Sequence, residues 1–268
     1  VNCPLIKTSI IIPVYNEADN LRGDFIKFIT WLNHFSKKMR GLDEEIELVF
    51  AEDGSTDGSY RILQELKKSF DCPVTIVHSS KRLGKGGGFC NGVSAARGQV
   101  VILYDCDMAV SPNQIPRLLE KIEEGYDIVI GSRKHKATRL IHYPTFIRFL
   151  YGQIGYIIGK TLFYIPLKET QCGFKAFKRS KLLPLCKILK TTGWLFDFEL
   201  LLRSFYNGLS IVEIPIDFRY IKKTRIHIIF DPIKMFLDLM RLRLCTLKYY
   251  PMLPFKPISY RKSTREKD

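Results

Sequence analysis

The chain has 268 residues, 46% of them hydrophobic, which is enough to bury a substantial core in one large domain or one domain with an appendage, and so excludes a disordered chain. Lys and Arg outnumber Asp and Glu by 42 to 27, a formal net charge of +15. That balance points to an anionic partner (nucleic acid, a phosphorylated metabolite or an acidic membrane surface) without choosing among them.

In chain order, β-branched runs alternate with amphipathic helical stretches. Strands are expected at 9–14, 46–51, 74–78, 100–104 and 128–130, and helices at 17–38, 58–70, 85–97 and 112–124. Strand, helix and strand at this spacing imply parallel pairing through right-handed crossovers, hence an open α/β sheet. In such sheets the ligand lies beyond the carboxyl ends of the strands. Seven cysteines (Cys3, Cys72, Cys90, Cys106, Cys172, Cys186 and Cys245) contain no Cys-x-x-Cys pair, which argues for a reducing compartment and against a zinc ribbon or disulfide framework. The first residues carry no secretory signal pattern, and the absence of an initiator methionine leaves a preceding segment open.

The strand ends are rich in polar residues. The first is followed by "PVYNE", the second by "EDGSTDGS", the third by "SSKRLGKGGG" and the fourth by "DCD". "DGSTDG" alone reads as a helix-capping turn with Asp57 or Thr56 as the cap. "GKGGG" lacks both the spacing of a phosphate-binding P-loop and the Ser or Thr after Lys85. The "DCD" pair is more telling. At an extended strand end Asp105 and Asp107 point the same way, and two carboxylates held together repel unless a cation or proton lies between them. Hard oxygen ligands suit Mg2+ or Mn2+, which could bridge to phosphate oxygens.

Together, "SIIIPVYNEADNL", "AEDGSTDGS", "KRLGKGGG", "YDCDMAVSP" and "IGSRKH" resemble the inverting family 2 glycosyltransferases in order and spacing over about the first 135 residues. "KETQCGFKAF" and "WLFDFELLLRSFYNGLSIVEIPI" resemble the polyprenyl-phosphate branch of that family. The resemblance implies a GT-A type fold: an open, mostly parallel sheet with flanking helices, here with amphipathic membrane-interface helices added. It implies a nucleotide-sugar donor, UDP-glucose or alternatively GDP-mannose, a dolichyl or other polyprenyl phosphate acceptor, and a protein on the cytoplasmic face of a membrane. It also implies roles. Pro13, Tyr15 and Glu17 would cradle the nucleoside, with Asp53 on the base. Asp105 and Asp107 would be catalytic through the metal, and Arg133 would meet phosphate as a guanidinium fork. Arg82, Lys85, Ser132, Gln171, Asp197 and Glu199 would contact substrates, although Asp197 and Glu199 equally read as first-turn acids of a helix at 197–206. A glycan acceptor would need a base, and Asp197, Glu199 or Glu169 would have to supply it.

Three departures from the pattern stand out. Glu52-Asp53 replaces paired aspartates, Lys168-Glu169 replaces Arg-Asp before "TQCGF", and Ala109 stands where mannosyl relatives carry a glutamine metal ligand. The last favours glucose. Residues 1–226 are expected to form the catalytic domain, with an interface helix at about 143–163, a second one within 227–250 and a polar tail at 251–268. In the first, Phe146, Leu150, Ile154, Ile157 and Thr161 share a face, with Arg148 and Lys160 interrupting the run. In the second, Ile229, Ile233, Phe236, Met240, Leu244 and Leu247 form an apolar stripe beside Lys234, Arg241 and Lys248, a pattern suited to an anionic interface. Neither stretch is long and apolar enough to span a bilayer. Nucleic acid, suggested only by charge, is not an expected partner, because strand-end acids would repel it.

Overall fold

The computed structural model describes residues 5–23, 25–40, 44–143, 146–193, 195–220 and 230–246. Strand β1 (Leu5–Val14) leads into helices α1 (Ala18–Arg22) and α2 (Phe25–Arg40), β2 (Glu44–Glu52) into α3 (Ser59–Leu66), β3 (Val74–His78) into α4 (Lys85–Ala95), and β4 (Val100–Tyr104) into α5 (Ile115–Glu123). Next come β5 (Ile128–Ser132), β6 (Arg139–Leu140), α6 (Phe146–Phe163), β7 (Phe174–Lys178), α7 (Arg179–Ile188) and α8 (Phe196–Tyr206). Strands β8 (Ile211–Pro215) and β9 (Asp217–Phe218) and helix α9 (Phe230–Thr246) follow. The expected helix 17–38 is two helices, interrupted at Gly23.

Seven strands form one sheet in the order β3-β2-β1-β4-β7-β5-β8. All neighbours are parallel except β7, which is inserted antiparallel between β4 and β5. Because β7 runs the other way, its amino end lies at the edge where β4 and β5 end, with Phe174 opposite Tyr104. The short pair β6–β9 and a bridge from Val110 to Phe218 close the same region.

Both faces of the sheet are covered, so central strands read as apolar runs without alternation. From β1, Ile10, Ile12 and Val14 face the core under α2, while Ile11 faces the core under α4. Helix α2 supplies Phe25, Phe28, Ile29, Leu32, Phe35 and Met39 at three- and four-residue spacing, each burial contributing about 1.5–3 kcal/mol. Helix α4 lies close because Gly92 has no side chain: a Cβ there would sit 2.7 Å from Ile11 Cγ2.

One buried carboxylate ties the layers together. Glu47 Oε1 accepts hydrogen bonds from Ser9 Oγ (2.6 Å) and the Arg97 backbone N–H (2.5 Å), and Glu47 Oε2 accepts from Arg97 Nε (2.9 Å). Ser9 Oγ in turn accepts from the Gly98 N–H at 2.8 Å. The network joins β1, β2 and the turn between α4 and β4. Replacing Glu47 by Ala strands these donors, so Glu47→Ala should lose about 1–3 kcal/mol of stability. A shift of the urea midpoint at unchanged m-value is the expected reading.

Candidate active site

The end of β4 answers why an apolar strand finishes in two aspartates. Tyr104 is buried and donates its hydroxyl to the Val110 carbonyl (2.5 Å), which folds residues 105–109 back across the strand end. In that turn Asp105 donates its N–H to the Gly173 carbonyl (3.1 Å), and Asp107 Oδ1 accepts from the Ala109 N–H (3.0 Å). Met108, between Asp107 and Ala109, sits at φ +53°, a left-handed conformation that costs a non-glycine residue about 1 kcal/mol or more. Asp105, Asp107, Cys172, Gly173 and Phe218 line a small depression here. A Cβ at Gly173 would lie 1.9 Å from Asp105 Oδ2, so any larger residue there would push the Asp105 carboxylate out of its present position.

Two ammonium groups meet this edge. Lys85, the first residue of α4, places Nζ 2.7 Å from Asp105 Oδ1. Burial alone would lower its pKa, but the fields of Asp105, Asp197 and Asp107 raise it, so it stays charged. Lys175, fully buried on β7, donates to Asp197 Oδ1 (2.5 Å) and to the Cys172 carbonyl (2.5 Å). Among the described residues no group of three or more His, Cys, Asp or Glu side chains converges as a ready metal cage.

The ends of β1, β2 and β3 build a second wall. The Arg82 guanidinium lies over the Tyr15 ring, 4.1 Å from its centroid. Asn16, itself left-handed at φ +54°, accepts from the Thr56 N–H at 2.7 Å. Asp53 accepts the N–H groups of Leu83 (2.6 Å) and Gly84 (2.8 Å), so it shapes the 81–84 loop. Burial raises its pKa more than those bonds and Arg82 lower it. Glu52 is turned away and buried, accepting from the Ser55 N–H (2.6 Å) and meeting His78 Nδ1 at 2.5 Å. Asp57 accepts the N–H groups of Ala18 and Ser59, both at 3.0 Å, and so serves the starts of α1 and α3. Pro13 and Glu17 lie half-buried on this wall, and the Glu17 carboxylate accepts from Asn20. The glycines of "GKGGG" serve close packing: Gly86 donates its N–H to the Thr192 carbonyl (2.8 Å), and a Cβ on it would lie 2.4 Å from Phe196 Cβ.

The third wall is held by Arg133, just after β5. Its Nε and Nη2 donate to Glu169 Oε2 (2.7 Å) and Oε1 (2.9 Å), a bidentate fork, while its guanidinium lies 5.4 Å from the Phe218 ring centroid. Burial pushes the Glu169 carboxyl up, but Arg133 and the Gln171 N–H outweigh it and hold the carboxyl at about 2. Glu213 on β8 fixes the segment from behind: it accepts from Ser132 Oγ (2.9 Å) and from the N–H groups of Lys168 (2.6 Å) and Glu169 (3.1 Å). Gln171 is exposed beside this fork.

Three of the expected substrate contacts, Asp197, Glu199 and Ser132, are buried against partners of their own, Asp197 against Lys175. Glu199 is fully buried and accepts from Arg203 Nε (2.7 Å), the N–H groups of Lys190 and Thr191, and Thr191 Oγ1, so it fastens the 190–191 turn. Ser132 is likewise fully buried and turned toward Glu213. Sequence reasoning missed Glu169 as the partner of Arg133, along with Lys175 and Gly173. Their signal was the "KETQCGFK" segment, which places an acid, a glycine and a lysine within seven residues.

The model of the family described as "Glycosyl transferase family 2" matches residues 9–183. The chain belongs to glycosyl transferase family 2. Within that family it is 31% identical over 259 residues to dolichyl-phosphate beta-glucosyltransferase of Saccharomyces cerevisiae, covering 89% of this chain and 75% of that protein. It is 30% identical over 217 residues to dolichol-phosphate mannosyltransferase of Pyrococcus furiosus, covering 80% of this chain and 56% of that one. The fold matches glucosyl-3-phosphoglycerate synthase from Mycobacterium tuberculosis, solved with Mn2+ and UDP-glucose. That match has a TM-score of 0.57 at 17% identity and covers 89% of this chain and 79% of the other. The mostly parallel sheet with flanking helices is therefore of the GT-A type.

The Arg133–Glu169 fork generates a pH prediction. Glu169 lies below its ordinary value of 4.5 in the folded state, so its contribution is full above about pH 4.5 and is lost as pH falls toward 2. Glu169→Gln should cost about 2–3 kcal/mol at pH 7, after discounting for the partly exposed arginine, and progressively less below pH 4.5. Urea titrations of both proteins from pH 7 to pH 3 would show the gap closing.

Proposed function

We propose that this family 2 enzyme moves glucose from UDP-glucose onto dolichyl or another polyprenyl phosphate, with inversion at the anomeric carbon. The observation that carries this reading is the pairing of the three acids that could have served as a base. Glu169 is forked to Arg133, Asp197 is bonded to Lys175 and Glu199 is bonded to Arg203. A hydroxyl acceptor needs a proton acceptor near neutral pH, and a carboxyl held at about 2 is a poor one. A phosphate monoester, with its second pKa at about 6, arrives already ionised and brings its own nucleophilic oxygen. The yeast relative's name, dolichyl-phosphate beta-glucosyltransferase, supports both the sugar and the acceptor.

The residues divide the work by wall. Tyr15 and Arg82, with Pro13 and Glu17 beside them, hold the nucleoside. Asp53 retains lone pairs for the base after shaping the 81–84 loop. Arg133, oriented by Glu169 and with Gln171 alongside, receives the acceptor phosphate. Asp105 and Asp107 would hold a Mg2+ or Mn2+ ion: both are hard oxygen donors at one strand end, and the absence of a side chain on Gly173 lets the Asp105 carboxylate lie where it does. When bound, such an ion supplies positive charge to the departing nucleoside diphosphate. GDP-mannose is the second donor to consider, because of the Pyrococcus relative. Ala109 counts against it, since a methyl group offers no ligand.

The lipid end of the acceptor fits two helices that pack on each other, α6 and α9. Helix α6 leaves Leu150, Ile154 and Ile157 in solvent, and α9 leaves Phe236, Leu237, Met240 and Leu244. An apolar row beside exposed Lys160 and Arg241 suits a helix lying in an anionic interface. Ile229, Leu247 and Lys248 lie outside the described residues, as do the side chains of Phe146, Arg148, Ile233 and Lys234, and the tail from 251. No described helix is long and apolar enough to cross a membrane. We place the protein on the cytoplasmic face; its six described cysteines carry free thiols, in keeping with a reducing compartment. Nucleic acid has no part in this reading, because the cations of the sheet edge are matched by acids.

The test is transfer of radiolabel from UDP-glucose, and separately GDP-mannose, to dolichyl phosphate with Mn2+ or Mg2+. Organic-extractable label from UDP-glucose should fall on the order of a hundredfold or more in Asp107→Asn. Hydrolysis of nucleotide sugar without lipid label would refute the acceptor. The initial rate should also rise through about pH 6 as the acceptor ionises and then level off. A profile governed by an enzyme carboxyl near pH 4–5 would show that a base operates after all.

A further inference from the structure

Lys85 supplies the ammonium that meets the Asp105 carboxylate at the strand end. Its ammonium is 2.7 Å from Asp105 Oδ1 and lies in the fields of Asp197 and Asp107 as well. Its backbone is fixed: Gly84 donates to Asp53, Gly86 donates to Thr192, and Gly86 has no space for a side chain against Phe196. The ammonium can therefore change partners only by swinging its flexible four-carbon stem. Asp105, Asp107 and Asp197 are three carboxylates facing two ammoniums, Lys85 and Lys175, which leaves one net negative charge at the edge. A divalent cation arriving alone would displace Lys85 from Asp105 and face two nearby ammoniums. A nucleoside diphosphate arriving with it adds phosphate oxygens that accept both the ion and the displaced ammonium.

We propose that Lys85 is a resident counter-cation of the Asp105–Asp107 pair, which keeps divalent metal out of the free protein and admits it together with a nucleoside diphosphate. The inference rests on the proposed metal and nucleotide site, and it adds that metal and nucleotide binding are thermodynamically coupled through one lysine. By linkage, UDP must tighten Mn2+ binding by the same factor that Mn2+ tightens UDP. Without the lysine, much of that factor should vanish because the ion no longer has to displace an ammonium from Asp105.

The experiment is Mn2+ binding to the full chain, followed by loss of the free-ion EPR signal with and without UDP. In the wild type, UDP should tighten Mn2+ binding by about tenfold or more. Lys85→Gln should bind Mn2+ alone about tenfold more tightly than wild type and show a smaller UDP effect. Lys85→Arg, which keeps the charge, should behave as wild type, and so should Lys67→Gln, which removes an equal charge from the exposed turn after α3. A folded Lys85→Gln with wild-type affinity for Mn2+ alone overturns the proposal while leaving the metal site standing. Failure of every protein to bind Mn2+ even with UDP overturns the metal site and the proposal together. If Lys85→Gln does not fold, a wild-type Mn2+ affinity indifferent to UDP is by itself contradictory.

Discussion

A carboxylate withdrawn from water has to be met by a cation or by N–H donors, and the carboxyl edge of this sheet is organised around that requirement. Asp53 is met by the 83–84 backbone, Asp105 by Lys85, Asp197 by Lys175 and Glu169 by Arg133. Each tie crosses between elements far apart in the chain. The antiparallel strand β7 gains its meaning from them: by running against its neighbours it starts at the edge where β4 and β5 end. It thereby brings Gly173 under Asp105 and Lys175 under Asp197.

Charges fixed in this way are suited to stabilising charge that appears during a reaction rather than to moving protons. Glu169, Asp197 and Glu199 are each locked to a cation, which fits the proposed acceptor, one that arrives ionised. The same locking bears on the proposed order of binding, because carboxylates already met by ammoniums have less to offer a lone metal ion than an ion paired with a diphosphate. Family membership and electrostatics thus lead to one chemistry by separate routes.

Much of this was legible in the sequence, for identifiable reasons. The first five strands and the helices between them follow from local periodicity, and Ser9 to Val14 shows why: a strand covered on both faces is apolar throughout. The ends of those strands then placed Tyr15, Asp53, Asp105 and Asp107 along the carboxyl edge of the sheet, where the structure has them. Strand β7 was not legible, since "FKAFK" reads as half-exposed when Lys175 is assumed to face water. Its burial depends on Asp197, 22 residues further on. The enclosure of Glu199 and Ser132 was not legible for the converse reason: Glu199 sits in the first turn of its helix, as one of its two readings had it, but the supports that bury it and Ser132, Arg203 and Glu213, are met only in the fold. Pairings of this kind are fixed by tertiary contact and leave no local pattern.

The central claim is that the acceptor supplies its own negative oxygen. The most direct measurement compares glucose transfer from UDP-glucose to a polyprenyl phosphate and to the matching polyprenol, with the same protein, detergent and metal. The account requires label on the phosphate and none above background on the alcohol. Comparable transfer to the alcohol would contradict it, because some group at the sheet edge would then have to take the proton.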